Sequence, residues 1–315
     1  MYLNHSKVIT GIFRFKFWQY GEWIEVVVDD YLPTVNGKLL FLQSNSPNEF
    51  WTPLLEKAYA KLYGNYTLAL DGGLIGSSME DLSGGVAESY HDKGSPAPFK
   101  VMLRSFQKKS MMGALIWTRP GETIEQINEI GLAGGHAYSV TKVLEFEVNG
   151  EKHQLVRIRN PWGTGVGQGL EHGIEWKGAW SDKSPEWNAL PDNQKNEIGL
   201  LIEDNGEFFM TYQDFIKHFD GIDICHVSMD SFDEDNIGWH KQEVHGSWSK
   251  GTSDGGLENL HENPQYLVEL KDTDADSDNI CTCLISLLQV GGRRKRADGH
   301  GFKTAFAPIG KNLSS

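Results

Sequence analysis

An α+β fold in two parts is predicted for this chain by three observations. Period-two alternation of apolar and polar residues marks two hairpins, one near the start and one centred on Asn149-Gly150. Apolar stripes at helical spacing lie between and after them, over 53–63 and 98–109. From about Ser228 helical periodicity stops and short strand-like runs alternate with polar loops, which places a domain boundary near 228–238.

The elements follow in order. Phe13, Phe15 and Phe17 point one way from a strand over 12–17, with Arg14 and Lys16 on the other side. Gln19-Tyr20-Gly21-Glu22 reads as a turn, and Trp23 to Val28 as the returning strand, ended by Asp29-Asp30. In the helix over 53–63, Pro53 suits the first turn, Leu54, Leu55, Ala58 and Leu62 form one stripe, and Gly64 supplies the stop. A Gly/Ser/Asp-rich loop is expected from Asp71 to Gly85. Phe99, Met102, Leu103 and Phe106 give the second helix its buried face. Met111 to Trp117 reads as a short buried strand. Val140 to Val148 and Gln154 to Arg159 flank Asn-Gly, a type I′ turn signal. Residues 163–180 are rich in Gly and Trp, and Glu207 to Phe219 reads as a short strand followed by a helix.

Composition narrows the function. The 315 residues make about two domains at roughly 150 residues each. With 43 acidic and 29 basic side chains the net charge is −14, which excludes general binding to a nucleic-acid backbone and suits a cationic partner such as calcium. Three cysteines, Cys225, Cys281 and Cys283, do not make a disulfide scaffold and point to a reducing compartment. The start of the chain lacks the apolar core of a signal peptide, and no apolar run is long enough to span a membrane.

His136 and Asn160 lie at the outer ends of the second hairpin. In an ideal two-residue register Ser139 opposes Asn160, so the two side chains start three positions apart, roughly 10 Å at about 3.3 Å per residue. That register puts them on opposite faces; a longer loop or one bulge would bring them to the same one. His and Asn on one hairpin suit a papain-type site, in which the imidazole serves a cysteine thiol and the amide orients the ring. Taken by themselves, the same residues also read as a buried histidine and a turn residue before Pro161.

G-G-H-A-Y-S-V-T (134–141) and I-R-N-P-W-G (158–163) resemble the histidine and asparagine motifs of calpains, intracellular calcium-dependent cysteine proteases. Further blocks resemble the calpain core in order: G-I-F-R-F-K-F-W-Q-Y-G-E-W-I-E-V-V-V-D-D (11–30), N-E-F-W-x-x-L-L-E-K-A-Y-A-K-L (48–62), M-E-D-L-S-G-G-V-A-E (79–88), E-W-K-G-A-W-S-D (175–182) and G-E-F-F-M-T-Y-Q-D-F (206–215). The resemblance implies a papain-like protease core, with 1–88 the remainder of its first subdomain and 89–228 a complete second subdomain. It makes 229–315 part of a calcium- and lipid-binding type of β-sandwich. His136 would be general base and then general acid, Asn160 would hold its tautomer, and Trp162 would shelter their hydrogen bond and take part in gating the cleft.

Calpains carry the nucleophile in a G-x-C-W-type segment upstream of the block that begins here at Gly11, and the oxyanion-hole glutamine lies upstream as well. None of the three cysteines matches that position. The chain therefore reads either as a calpain truncated at both ends or as a non-catalytic, calcium-responsive paralogue, and in either case as inactive alone. The opening aromatic hairpin favours truncation.

The resemblance also implies calcium. Glu49 matches a ligand of the first subdomain. Glu175, Asp182 and Glu207 match ligands of the second, with Asp204 or Asn205 and a carbonyl near Ile202 completing the set; oxygen donors of this kind are what calcium takes. G-T-G-V-G-Q-G-L-E-H-G (163–173) departs from the family as a flexible insertion, without the Lys-Ser/Thr ending of a phosphate loop. D-T-D-A-D-S-D (272–278) is no EF-hand, because its sixth position is Ser277 and its twelfth Cys283. It resembles instead the acidic loop of the calpain sandwich. Arg293-Arg294-Lys295-Arg296 reads as a solvated basic loop. The partners implied are protein substrates, a small regulatory subunit or inhibitor, and acidic phospholipid at the second domain, in a cytoplasmic protein that associates transiently with membrane.

Overall fold

The computed structural model describes residues 11–44, 46, 48–70, 72–92, 95–148, 150–163, 174–203, 205–227, 242–256, 258–269, 283 and 285–287. The chain divides into two units, 1–239 and 240–315.

In the first unit the opening hairpin pairs β1 (Ile12–Gln19) with β2 (Glu22–Asp29). Tyr20 and Gly21 both have positive φ, as a type I′ connection requires. Phe15 and Phe17 are buried with Val26 and Val28, and α1 (Trp51–Tyr63) covers them with Leu54 and Ala58. A small hairpin, β3 (Thr34–Val35) with β4 (Lys38–Leu39), precedes this helix, and α2 (Tyr66–Leu70) follows it.

The expected loop at 71–85 holds a helix instead, α3 (Ile75–Ser83). Ile75, Met79 and Leu82 fall at i, i+4 and i+7, but Leu82 is exposed, and the residues this helix buries are Gly76 and Asp81. Asp81 accepts hydrogen bonds from Gln19, Tyr59 and Tyr63, so polar pairing fixes this helix to β1 and α1. Burial and the Asp81 carboxylate together push the Tyr63 hydroxyl far above its ordinary range.

The centre of the unit is a six-stranded antiparallel sheet: β5 (Val86–Tyr90), β10 (Gly221–His226), β6 (Met111–Ile116), β7 (His136–Val148), β8 (Glu151–Arg159) and β9 (Glu207–Thr211), in that spatial order. Phe99 and Met102 of α4 (Phe99–Gln107) and Phe215 of α6 (Tyr212–His218) cover one face. Trp180, Trp187, Leu190 and Ile198 cover the other, the last from α5 (Asp192–Ile198).

A bulge at Thr141 sets the register of β7 on β8. Before it, Tyr138 and Val140 face the first of these cores; after it, Val143 faces that core, and Leu144, Phe146 and Val148 face the other. The extra residue swaps odd for even positions. In the second unit the described residues show one 3-10 turn, Leu260–Glu262, and no strand. The acidic run 272–278, the basic run 293–296 and the glycine-rich segment 164–173 lie outside the described residues.

Candidate active site

His136 opens β7 and Asn160 follows the last residue of β8. Val140 pairs with Ile158 and Ser139 with Arg159, so the row of inward side chains runs through Val140, Tyr138 and His136 on one strand and Ile158 and Asn160 on the other. His136 Nε2 lies 3.0 Å from Asn160 Oδ1. The bulge foreseen as the remedy for the opposite-face register is present, at Thr141.

The tautomer follows from the neighbours. The Trp162 backbone N–H donates to Asn160 Oδ1 at 3.1 Å, which makes that atom the amide oxygen. It can only accept from His136, so the neutral ring carries its proton on Nε2 and leaves Nδ1 unprotonated. Asn160 is fully buried, and its backbone N–H donates to the Gly206 carbonyl at 2.7 Å. The Trp162 ring stands 4.2 Å from the imidazole centroid, and Tyr138 meets it edge-on at 4.9 Å. Between them the His136 side chain is 6% exposed.

Glu125, which the sequence reading passed over, faces the other nitrogen: its Oε1 is 3.5 Å from Nδ1, an ion pair only while the ring is charged. Its φ of +63° is left-handed, and its backbone N–H donates to Gly134 at 2.7 Å. A lone glutamate in a loop carries no periodic signal that would have marked it.

Cys225 is not part of this constellation. On β10 it pairs with Met111 of β6, whereas His136 pairs with Ile116 of the same strand. Five residue steps along β6 separate the two rows, about 17 Å at about 3.4 Å per residue. Burial pushes its thiol up to about 12, the reverse of what a nucleophile needs. Cys283 is exposed and lies in the second unit, and Cys281 is outside the described residues.

The acids expected to bind calcium are only partly assembled. Glu175 accepts the backbone N–H groups of Asn205 and Gly206 at 3.0 and 2.7 Å, and Asp182 accepts that of Glu203 at 3.1 Å. Both thus meet the loop 203–206. Glu207 turns instead to Thr141 Oγ1 at 2.7 Å and Arg157 Nε at 3.3 Å. Asn205 Oδ1 accepts from the Glu207 N–H at 2.9 Å, and Asp204 lies outside the described residues. Glu49 is in the loop before α1, where it accepts from Ser44 at 3.0 Å. Among the described residues no three acidic, His or Cys side chains are grouped as metal ligands. The donors have the hard-oxygen chemistry of calcium, but in this arrangement they face N–H groups and a guanidinium.

Residues 3–226 match the family described as calpain family cysteine protease. This chain belongs to the calpain family. Residues 244–312 of the calpain chain also match the calpain large subunit, domain III. It is 44% identical to Calpain-B of Drosophila melanogaster over 92% of its own length and 32% of that protein's. It is 44% identical to Calpain-A of the same organism, over 92% of this chain and 36% of the relative. With the human Calpain-2 catalytic subunit the identity is 42%, over 94% of this chain and 42% of the relative. The chain thus spans about a third to two fifths of the curated relatives it matches. Among the described residues no helix is long and apolar enough to cross a membrane.

Proposed function

We propose that this calpain chain carries the general-base part of a calcium-regulated cysteine endopeptidase acting on protein substrates in the cytoplasm. The observation that carries the reading is the His136 Nε2–Asn160 Oδ1 contact at 3.0 Å, with the amide orientation fixed by Trp162. Nδ1 of His136 takes the proton of a cysteine thiol as the sulfur attacks the scissile carbonyl, and returns it to the leaving amine. Asn160 keeps the ring in the tautomer and plane that this transfer needs.

The nucleophile is a cysteine other than Cys225, supplied by a G-x-C-W-type segment. The 315 residues alone do not cleave peptides, because the one cysteine within the protease match is buried at the wrong end of the sheet. Calcium, when bound, supplies charge that Glu175, Asp182 and Glu207 share around the loop 203–206, with Asp204 or Asn205 as the further ligand. Glu49 serves the first subdomain. The second unit is the proposed seat for acidic phospholipid, and a small regulatory subunit or inhibitor is the proposed protein partner.

The test is calcium-dependent cleavage of casein. A product of the same transcript that includes an in-frame G-x-C-W segment is expected to cleave, and His136→Ala to abolish it. Cleavage by the 315-residue chain that His136→Ala abolishes overturns the inactivity. A transcript shown to start at Met1 favours the non-catalytic, calcium-responsive reading, on the observation that no described cysteine of the protease unit faces His136.

A further inference from the structure

We propose that Thr141 is a positioning residue for the His136–Asn160 pair, acting through the β-bulge that it forms. The proposal rests on the reading of those two residues as the catalytic base and its orienter. Three observations carry it.

The bulge decides which face His136 occupies. Lys142 pairs with Arg157, but Val140 pairs with Ile158, so Thr141 is the extra residue. A regular ladder would turn His136, Tyr138 and Val140 to the opposite face from Ile158 and Asn160. The contact at 3.0 Å between His136 and Asn160 therefore depends on the extra residue.

The bulge is held by side chains from two other strands. Thr141 Oγ1 donates to Glu207 Oε1 of β9 at 2.7 Å and accepts from Arg157 Nε of β8 at 3.0 Å. Arg157 Nε is itself 3.3 Å from Glu207 Oε1, which closes a triangle. Arg157 also donates to the Gly199 carbonyl at 3.3 Å and lies over the Phe209 ring. The side chains are 21% exposed at Arg157 and 15% at Glu207, so the hydroxyl bridges an ion pair that water screens weakly.

Bulges place one residue outside the ladder and need something else to fix it. Here the hydroxyl fills that role. A threonine has the β-branched shape that a valine copies, so the hydroxyl's part can be separated from the shape's.

The experiment is nitrogen-15 NMR of the His136 ring in the 315-residue chain, with chelator present and at a pH where the imidazole is neutral. In the unsubstituted chain an Nε2-protonated ring is expected. Thr141→Ser keeps that signature. Thr141→Val lowers the population of the single Nε2–H tautomer relative to the other by roughly tenfold, the scale of one hydrogen bond to a charged group. Glu207→Ala, which removes the acceptor and leaves the sequence of the bulge intact, gives the same loss and serves where Thr141→Val fails to fold. A signature that survives both Thr141→Val and Glu207→Ala in folded protein overturns the proposal while the reading of the site stands. An unsubstituted chain without the Nε2–H signature overturns the reading of the site and the proposal with it.

Discussion

The backbone N–H of Asn160 donates to the carbonyl of Gly206 at 2.7 Å, which ties the residue that orients His136 to the loop where Glu175 and Asp182 meet. Gly206 has φ of +82°, and a Cβ there would lie 2.6 Å from the Gly163 carbonyl and 3.0 Å from that of Asn160. Gly206→Ala is expected to cost about 2 kcal/mol, from backbone strain and the forced shift. Urea denaturation reads the loss. The His136 ring signals of the folded variant should move with it; signals left in place would show that the loop does not hold Asn160.

Calcium should draw on the same loop. Isothermal titration with the 315-residue chain is expected to show one site, weakened at least tenfold by Glu175→Gln or Asp182→Asn, since affinity follows the charge of the ligands. Heat of binding that neither substitution changes would remove the second-subdomain assignment.

Asp81 ties α3 to β1 and α1 by accepting from Gln19, Tyr59 and Tyr63. Asp81→Ala removes the carboxylate that these donors share, and about 3 kcal/mol of stability should be lost on the scale of hydrogen bonds to a charged group. The denaturation midpoint falls with an unchanged slope. A loss below about 0.5 kcal/mol, the range of ordinary surface changes, would show that water replaces the carboxylate.

Cys225 makes an alkaline prediction. Burial raises its thiol to about 12 in the folded chain, against about 8.5 for a free cysteine. The folded state then binds the proton more tightly, so its contribution is complete below the unfolded value and is lost as pH rises from about 9 towards 12. Stability should fall across that window by up to about 1.4 kcal/mol per pH unit from this group, and less steeply in Cys225→Ala. Under native conditions iodoacetamide should label Cys283 and leave Cys225 untouched until the chain unfolds.

Much of this was legible in the residues alone. Alternation around Tyr20-Gly21 and around Asn149-Gly150 located both hairpins, because a period of two and a turn residue at positive φ are local properties. The ordered motifs fixed the family and with it His136, Asn160 and Trp162 as the residues to watch. The helix at 75–83 was not legible, since its anchor is its own carboxylate, Asp81, whose partners Gln19, Tyr59 and Tyr63 come from elsewhere in the chain.

Sequence by itself determined the hairpins, the helical stripes, the calpain relationship and the absence of a cysteine matching the nucleophile motif. Only the tertiary structure decided that His136 and Asn160 share a face. A single-residue bulge reverses every side chain beyond it, and its position at Thr141 depends on Arg157 and Glu207, which lie 16 and 66 residues away along the chain. Contacts at that separation leave no periodic mark in the sequence, because they are set by the packing of three strands rather than by the order of residues in any one of them.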